Sequence, residues 1–138
     1  MISLRTDAPT VGEYKRLAQA VGWENRTDSF VRVALANSRH VICAHDRAEI
    51  VGLARIVGDG KTFFYLQDIM VLPAYQKQGI GHALMTGLMD WLAAHAAAGT
   101  TAHLRPAAGT EGFYARFGFA NIDPDESDMS YVIGTAPA

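Results

Sequence analysis

Between residues 62 and 92 the hydrophobic period changes across a pair of glycines. Thr62-Phe63-Phe64-Tyr65-Leu66-Gln67-Asp68-Ile69-Met70-Val71 is rich in aromatic and β-branched residues, the composition of a strand. After Pro73, Ile80, Leu84, Leu88, Trp91 and Leu92 recur at helical spacing and trace the core stripe of a long helix that ends before Gly99. The connection, Gln76-Lys77-Gln78-Gly79-Ile80-Gly81, brings bare main-chain N–H groups to the start of that helix, where the dipole favours an anion. Taken alone, such a Gly-x-Gly turn is equally an ordinary strand-to-helix connection. It lacks the Gly-x-x-x-x-Gly-Lys-Ser/Thr of a nucleoside triphosphatase and the third glycine of a dinucleotide fingerprint.

Around this unit the periodicity predicts a strand over Ile2–Arg5. A helix follows through Val11, Tyr14, Leu17, Ala18 and Val21, stopping at Gly22. Thr27-Asp28-Ser29 caps a second helix, with Phe30, Val31, Val33, Ala34 and Leu35 as its apolar face. Strands over 41–44 and 50–57, joined by polar turns, complete an antiparallel meander with the 62–71 strand. A strand over Thr101–Arg105, a short helix over Thr110–Phe117 and a last strand at Tyr131-Val132-Ile133 follow. The order is β-α-α-β-β-β-α-β-α-β, an α/β fold. We expect residues 1–138 to form a single domain, a mixed and mostly antiparallel sheet flanked by helices.

A chain of 138 residues supports one core of ordinary size. Twelve Lys and Arg against fourteen Asp and Glu, with no basic block, argue against nucleic acid or an anionic membrane as partner. No apolar run approaches a membrane span, and Met1–Arg5 has no signal core, so a cytoplasmic protein is expected. The lone Cys43 rules out an internal disulfide and reads as a buried apolar residue. The five histidines, at 40, 45, 82, 95 and 103, show no metal-ligand spacing, and no metal is expected.

Two motifs in order give the chain a family resemblance. Gln76-Lys77-Gln78-Gly79-Ile80-Gly81, preceded by Asp68-Ile69-Met70-Val71-Leu72-Pro73, resembles the acetyl-CoA pyrophosphate loop of the GCN5-related N-acetyltransferases (GNAT). Gly112-Phe113-Tyr114-Ala115-Arg116-Phe117-Gly118-Phe119 resembles the second signature of that family. The resemblance implies acetyl-CoA as cosubstrate. It places Ile69, Met70 and Val71 against the pantetheine through their main chain, and Gln76, Lys77, Gln78, Gly79, Ile80, Gly81 and His82 around the pyrophosphate. It also puts Tyr114 in the position of the general acid. A thiol of pKa ~8.5 departs at pH 7 with a deficit of roughly 2 kcal/mol, which a phenol proton at hydrogen-bond distance covers.

On the acceptor side the resemblance implies a small-molecule primary amine, acetylated by direct transfer in a ternary complex. Trp23, Tyr65 and Gln67, with Phe30 and Arg55, are the expected pocket, and Asp59 or Glu24 would hold a second positive charge. Strict strand alternation sets Tyr65, Gln67, Ile69 and Val71 on one face and Asp68 on the other, where it is a base candidate on the wrong face and reads rather as a structural hydrogen-bonding group; a water chain ordered by Tyr65, Gln67 or main-chain carbonyls is the alternative base. Relatives with a carboxylate or histidine base carry it at positions matching 65 or 67, where this chain has Tyr and Gln. Ala107 replaces an asparagine that many relatives place seven residues before the tyrosine. A protein or peptide acetyltransferase and a CoA-binding sensor without turnover stand as alternatives. Homodimers are common among relatives, and Ser130–Ile133 offers an edge strand for pairing.

Overall fold

The computed structural model describes residues 1–121 and 128–134. The elements are β1 (Ile2–Arg5), α1 (Val11–Ala20), α2 (Asp28–Ala36), β2 (His40–Asp46), β3 (Glu49–Gly58), β4 (Phe63–Val71), a 3-10 turn (Pro73–Tyr75), α3 (Ile80–His95), β5 (Thr101–Leu104), α4 (Glu111–Ala115), β6 (Ala120–Asn121) and β7 (Met129–Val132). The strands lie in the order β1-β2-β3-β4-β5-β7-β6, every described pair antiparallel except β4 with β5. The α/β class and the expected element order are borne out. The sequence reading missed β6, only two residues long.

Local chemistry sets the helix starts. Thr10 caps α1 in a reciprocal box: its hydroxyl accepts from the Glu13 N–H while the Glu13 carboxylate accepts from the Thr10 N–H. Thr27 caps α2 through the Phe30 N–H. Gly79 precedes α3 at φ +82, in the left-handed region where glycine carries no Cβ penalty.

The sheet separates two cores. On one face Ile80, Leu84, Met85, Leu88 and Leu92 of α3 pack on Ile42, Val51, Ile56, Phe64 and Leu66. Each buried side chain of this size contributes roughly 1.5–3 kcal/mol. On the other face Leu17 and Ala18 of α1 cover Val41, Cys43, Ile50, Leu53 and Met70. Cys43 is fully buried, as expected, and burial pushes its thiol up to about 12.

One expectation is corrected by the topology. The last strand is not the edge of the sheet: β7 lies between β5 and β6, and β6 pairs with its Met129 and Ser130. Among the described residues no helix is long and apolar enough to cross a membrane.

Gly58 closes β3 at φ +139, and a Cβ there would collide with the Phe63 carbonyl across the turn. Gly58→Ala should therefore cost about 2–4 kcal/mol in a denaturant melt, and a loss under about 0.5 kcal/mol would contradict this packing. Native Cys43 should stay unreactive toward a thiol reagent at pH 8 and become fully reactive on unfolding; stoichiometric labelling of folded protein would contradict its burial.

Candidate active site

β4 and β5 run parallel only from Phe63↔Thr101 to Tyr65↔His103, and beyond that register the two strands have no described pairing. Pro106 follows β5 and removes a donor that could have continued the ladder. The Leu72 N–H donates to the Val51 carbonyl on the β3 side. Alternation along an antiparallel pair then turns the N–H and C=O groups of Val71 and Ile69 away from β3, into the gap, where the Val71 carbonyl accepts from Gln76 Nε2 at 3.0 Å. A sheet that opens in its middle, with polar main chain on the exposed edge, receives an extended ligand as an added strand.

Below the gap, Ile69, Val71, Gly79, Gly81, His82 and Tyr114 help line a cleft of about 550 Å³. Its floor is the start of α3. Ala83 is the first residue of the helix whose N–H finds a helical acceptor, Gly79 C=O at 3.0 Å; the N–H groups of Lys77 through His82 have no acceptor among the described residues. Six consecutive free donors at a helix N-terminus form a cradle for a multiply charged anion, and Lys77 and Arg116 add positive charge to its wall. A Cβ on Gly79 would meet nothing within 4 Å, so the space above the loop is open to a ligand. The residues present fit a pyrophosphate.

The predicted residues divide. Ile69, Val71, Gln76, Lys77, Gly79, Gly81 and His82 line this cleft. Ile80 is buried in the core beneath it, and Gln78 turns its amide onto the Ala74 carbonyl. Met70 stands apart: its side chain is buried against α1 and it lines neither cleft. Sequence reasoning did not include Tyr75, Thr110, Phe113 and Arg116 among the site residues; Phe113 and Arg116 lie one residue before and two after Tyr114 in the second motif. Tyr75 is held by its phenol donating to Asp46 Oδ2 at 2.7 Å.

A second cavity, of about 430 Å³, lies on the other side of the gap, lined among others by Trp23, Tyr65, Gln67, Arg105 and Ala107. Trp23, Tyr65 and Gln67 thus line one cavity, while Phe30 and Arg55, expected in the same pocket, line the neighbouring recess. The two cavities share Ile69 and Tyr114. Tyr114 is 8% exposed, no described residue hydrogen-bonds its phenol, and burial raises its pKa above the ordinary tyrosine value. It is therefore protonated throughout the neutral range, able to donate at the point where the clefts meet.

The face assignment along β4 is corrected. Leu53 pairs with Met70 and Arg55 with Gln67, so Asp68 and Ile69 together oppose Ala54 in a β-bulge, with Asp68 at φ +57. The extra residue resets the alternation. Gln67 and Asp68 both border the acceptor-side cavities, whereas Ile69 and Val71 pack toward the α3 core. Asp68 is a hydrogen-bonded group as expected, but on the face of Gln67: its Oδ2 accepts from Tyr14 Oη at 2.6 Å and Arg55 Nε at 2.6 Å. Burial and donation to Asp68 hold the Tyr14 phenol well above its usual range. Of the carboxylates considered for a second charge, Glu24 lines the cavity beside α1, while Asp59 caps the N–H groups of Lys61, Thr62 and Phe63 in the β3–β4 turn.

Comparison with known proteins agrees with this geometry. Residues 37–121 match the family described as "Acetyltransferase (GNAT) domain". A probable acetyltransferase of unknown function from methicillin-resistant Staphylococcus aureus superposes with a TM-score of 0.86 at 28% identity, over 91% of this chain and 95% of that one. A GNAT-family protein from Streptococcus pneumoniae gives 0.73 at 35%, over 87% and 88%. The chloroplastic serotonin N-acetyltransferase 2 of Oryza sativa subsp. japonica is 32% identical over 83% of this chain and 58% of its own length. The chain spans 40% to 66% of the first curated relatives it matches. With the model matching more than half of its residues, this chain belongs to the GNAT acetyltransferase family.

Proposed function

We propose that the chain is an acetyl-CoA-dependent N-acetyltransferase that acetylates the primary amine of a small molecule by direct transfer in a ternary complex, with residues 1–138 acting as one domain. The observation that carries this reading is the meeting of two cavities at Ile69 and Tyr114, one floored by free N–H donors and the other walled by Trp23, Tyr65 and Gln67. Bound in the first, acetyl-CoA supplies the acetyl group as a thioester. The N–H groups of Lys77 to His82 hold its pyrophosphate, and Ile69 and Val71 pair with the pantetheine arm through their main chain.

Tyr114 gives its proton to the departing sulfur as the carbon–sulfur bond breaks and the nitrogen–carbon bond forms. The phenol then recovers a proton from solvent. The amine poses the larger problem: at pKa ~10.4 it lies about 3.4 units above neutral, a cost of roughly 4–5 kcal/mol. The surplus proton leaves to water in the open cavity beside Gln67: positions 65 and 67 carry no base, and the carboxylate that borders the cavity, Asp68, already accepts from both Tyr14 and Arg55 on one oxygen. Cys43 is remote from this chemistry, buried under α1, which favours direct transfer over an acyl-cysteine route. A recess of about 350 Å³ between α1, α2 and Trp23 supports a small acceptor over an extended peptide.

The test is release of the CoA thiol over a panel of amines, amino acids and short peptides. Tyr114→Phe should lower kcat by ~10²–10⁴ while the KM for acetyl-CoA stays within about threefold, and unchanged turnover would remove Tyr114 from the mechanism. Saturable acetyl-CoA binding without release for any acceptor would favour a sensor.

A further inference from the structure

The recess beside α1 carries more information than its size. On its floor lie Arg55 and Asp68, with side chains 11% and 10% exposed, joined by the Nε to Oδ2 bond. Arg55 Nη1 donates to Ser38 Oγ at 3.2 Å and to the Ala34 carbonyl at 3.4 Å. Arg55 Nη2 has no acceptor among the described residues, and Asp68 Oδ1 has no donor. Nη2 lies on the same edge of the guanidinium as Nε, so the carboxylate occupies half of a fork that binds two oxygens. Neither atom is sealed from solvent, since His45 Nδ1 alone is a fully buried side-chain polar atom without a partner among the described residues, so both open into the recess, where water or a ligand can take them.

The charges around the recess balance. Lys15 is bridged to Asp28 at 2.7 Å and Arg26 to Glu24 at 3.3 Å, while Arg55 is bridged to Asp68. No surplus of negative charge awaits a polyamine or an aminoglycoside, and no surplus of positive charge awaits a polyanion. What remains is one open cationic donor beside one open anionic acceptor. Above them stand two large apolar rings with substantial exposure, Trp23 at 42% and Phe30 at 54%, the latter with the Arg26 guanidinium over one face at 4.8 Å from the ring centroid.

We infer that the acceptor is a zwitterionic α-amino acid with an apolar or aromatic side chain, its carboxylate on Arg55 Nη2 and its ammonium on Asp68 Oδ1. One carbon separates the two charged groups of such a molecule, matching the adjacency of the two halves of an ion pair. Asp68 precedes Ile69 and borders both acceptor-side cavities, so an amine held on Oδ1 lies toward the junction with the cofactor cleft. The side chain then extends between Trp23 and Phe30. Asp68 acts here in recognition; the acetyl transfer is the step already described, and this inference rests on that reading while naming its acceptor class.

Matched pairs that differ only by the carboxylate test it: L-tryptophan with tryptamine, L-phenylalanine with phenethylamine, L-leucine with isopentylamine. Calorimetric binding to CoA-saturated protein and kcat/KM for thiol release should both favour the amino acid by at least about tenfold. Arg55→Lys keeps the charge and removes the fork, and should shrink that preference toward unity. Equal or stronger binding and turnover of the plain amines overturns the inference and leaves the acetyltransferase reading standing. Thiol release confined to some other amine class also overturns it. Absence of release with every acceptor overturns the acetyltransferase reading instead, and the wild-type binding ratio then decides whether the recess selects amino acids. If Arg55→Lys does not fold, the wild-type pairs alone decide.

Discussion

The bulge at Asp68 is the constraint on which the functional half of the molecule depends. A residue with a side chain holds φ +57 only when its surroundings compensate a cost of order 1–3 kcal/mol. Here the compensation is visible: one carboxylate oxygen takes both a guanidinium N–H from β3 and a phenol O–H from α1, each at 2.6 Å. Because the bulge shifts the strand by one residue, Ile69 and Val71 face the opposite side from the one a regular strand would give them. The same clamp ties the cofactor-side strand to the helix that walls the acceptor recess. Buried ion pairs often contribute little net stability, and this one is better understood as fixing a backbone conformation than as strengthening the core.

Two open sets of main-chain groups then define the cofactor side. The edge of β4 beyond Tyr65 has no strand beside it, and the turn from Lys77 to His82 has no acceptors within the described chain. Unpaired N–H groups are costly when dry and inexpensive when wet, so both sets lie in an open cleft. A polyanion with an amide-containing tail complements them in order along the chain: phosphates at the helix start, amides along the strand. Tyr114, rising from α4, closes the line where the tail would end.

Much of this was legible in the sequence because it follows from period and glycine placement. The α3 stripe from Ile80 to Leu92 and the Gly79–Gly81 turn are local signals that tertiary packing had only to confirm. Tyr114 was legible through its motif. The bulge was not, since nothing in Gln67-Asp68-Ile69 marks an extra residue; glycine would have been the usual flag, and the chain uses aspartate with two partners distant in sequence. The interior position of β7 was missed for a similar reason. Its neighbour β6 is two residues long and lacks strand-forming side chains, so it leaves no periodic trace and exists only by pairing.

The most direct measurement of this arrangement is hydrogen exchange at individual amides, with and without acetyl-CoA. Ile69, Val71 and the Lys77–His82 turn should exchange quickly in the free protein and slow markedly on binding, while the already paired amides of β2 and β3 change little. Saturable acetyl-CoA binding that leaves the 69–71 and 77–82 amides unprotected would contradict it and place the cofactor elsewhere.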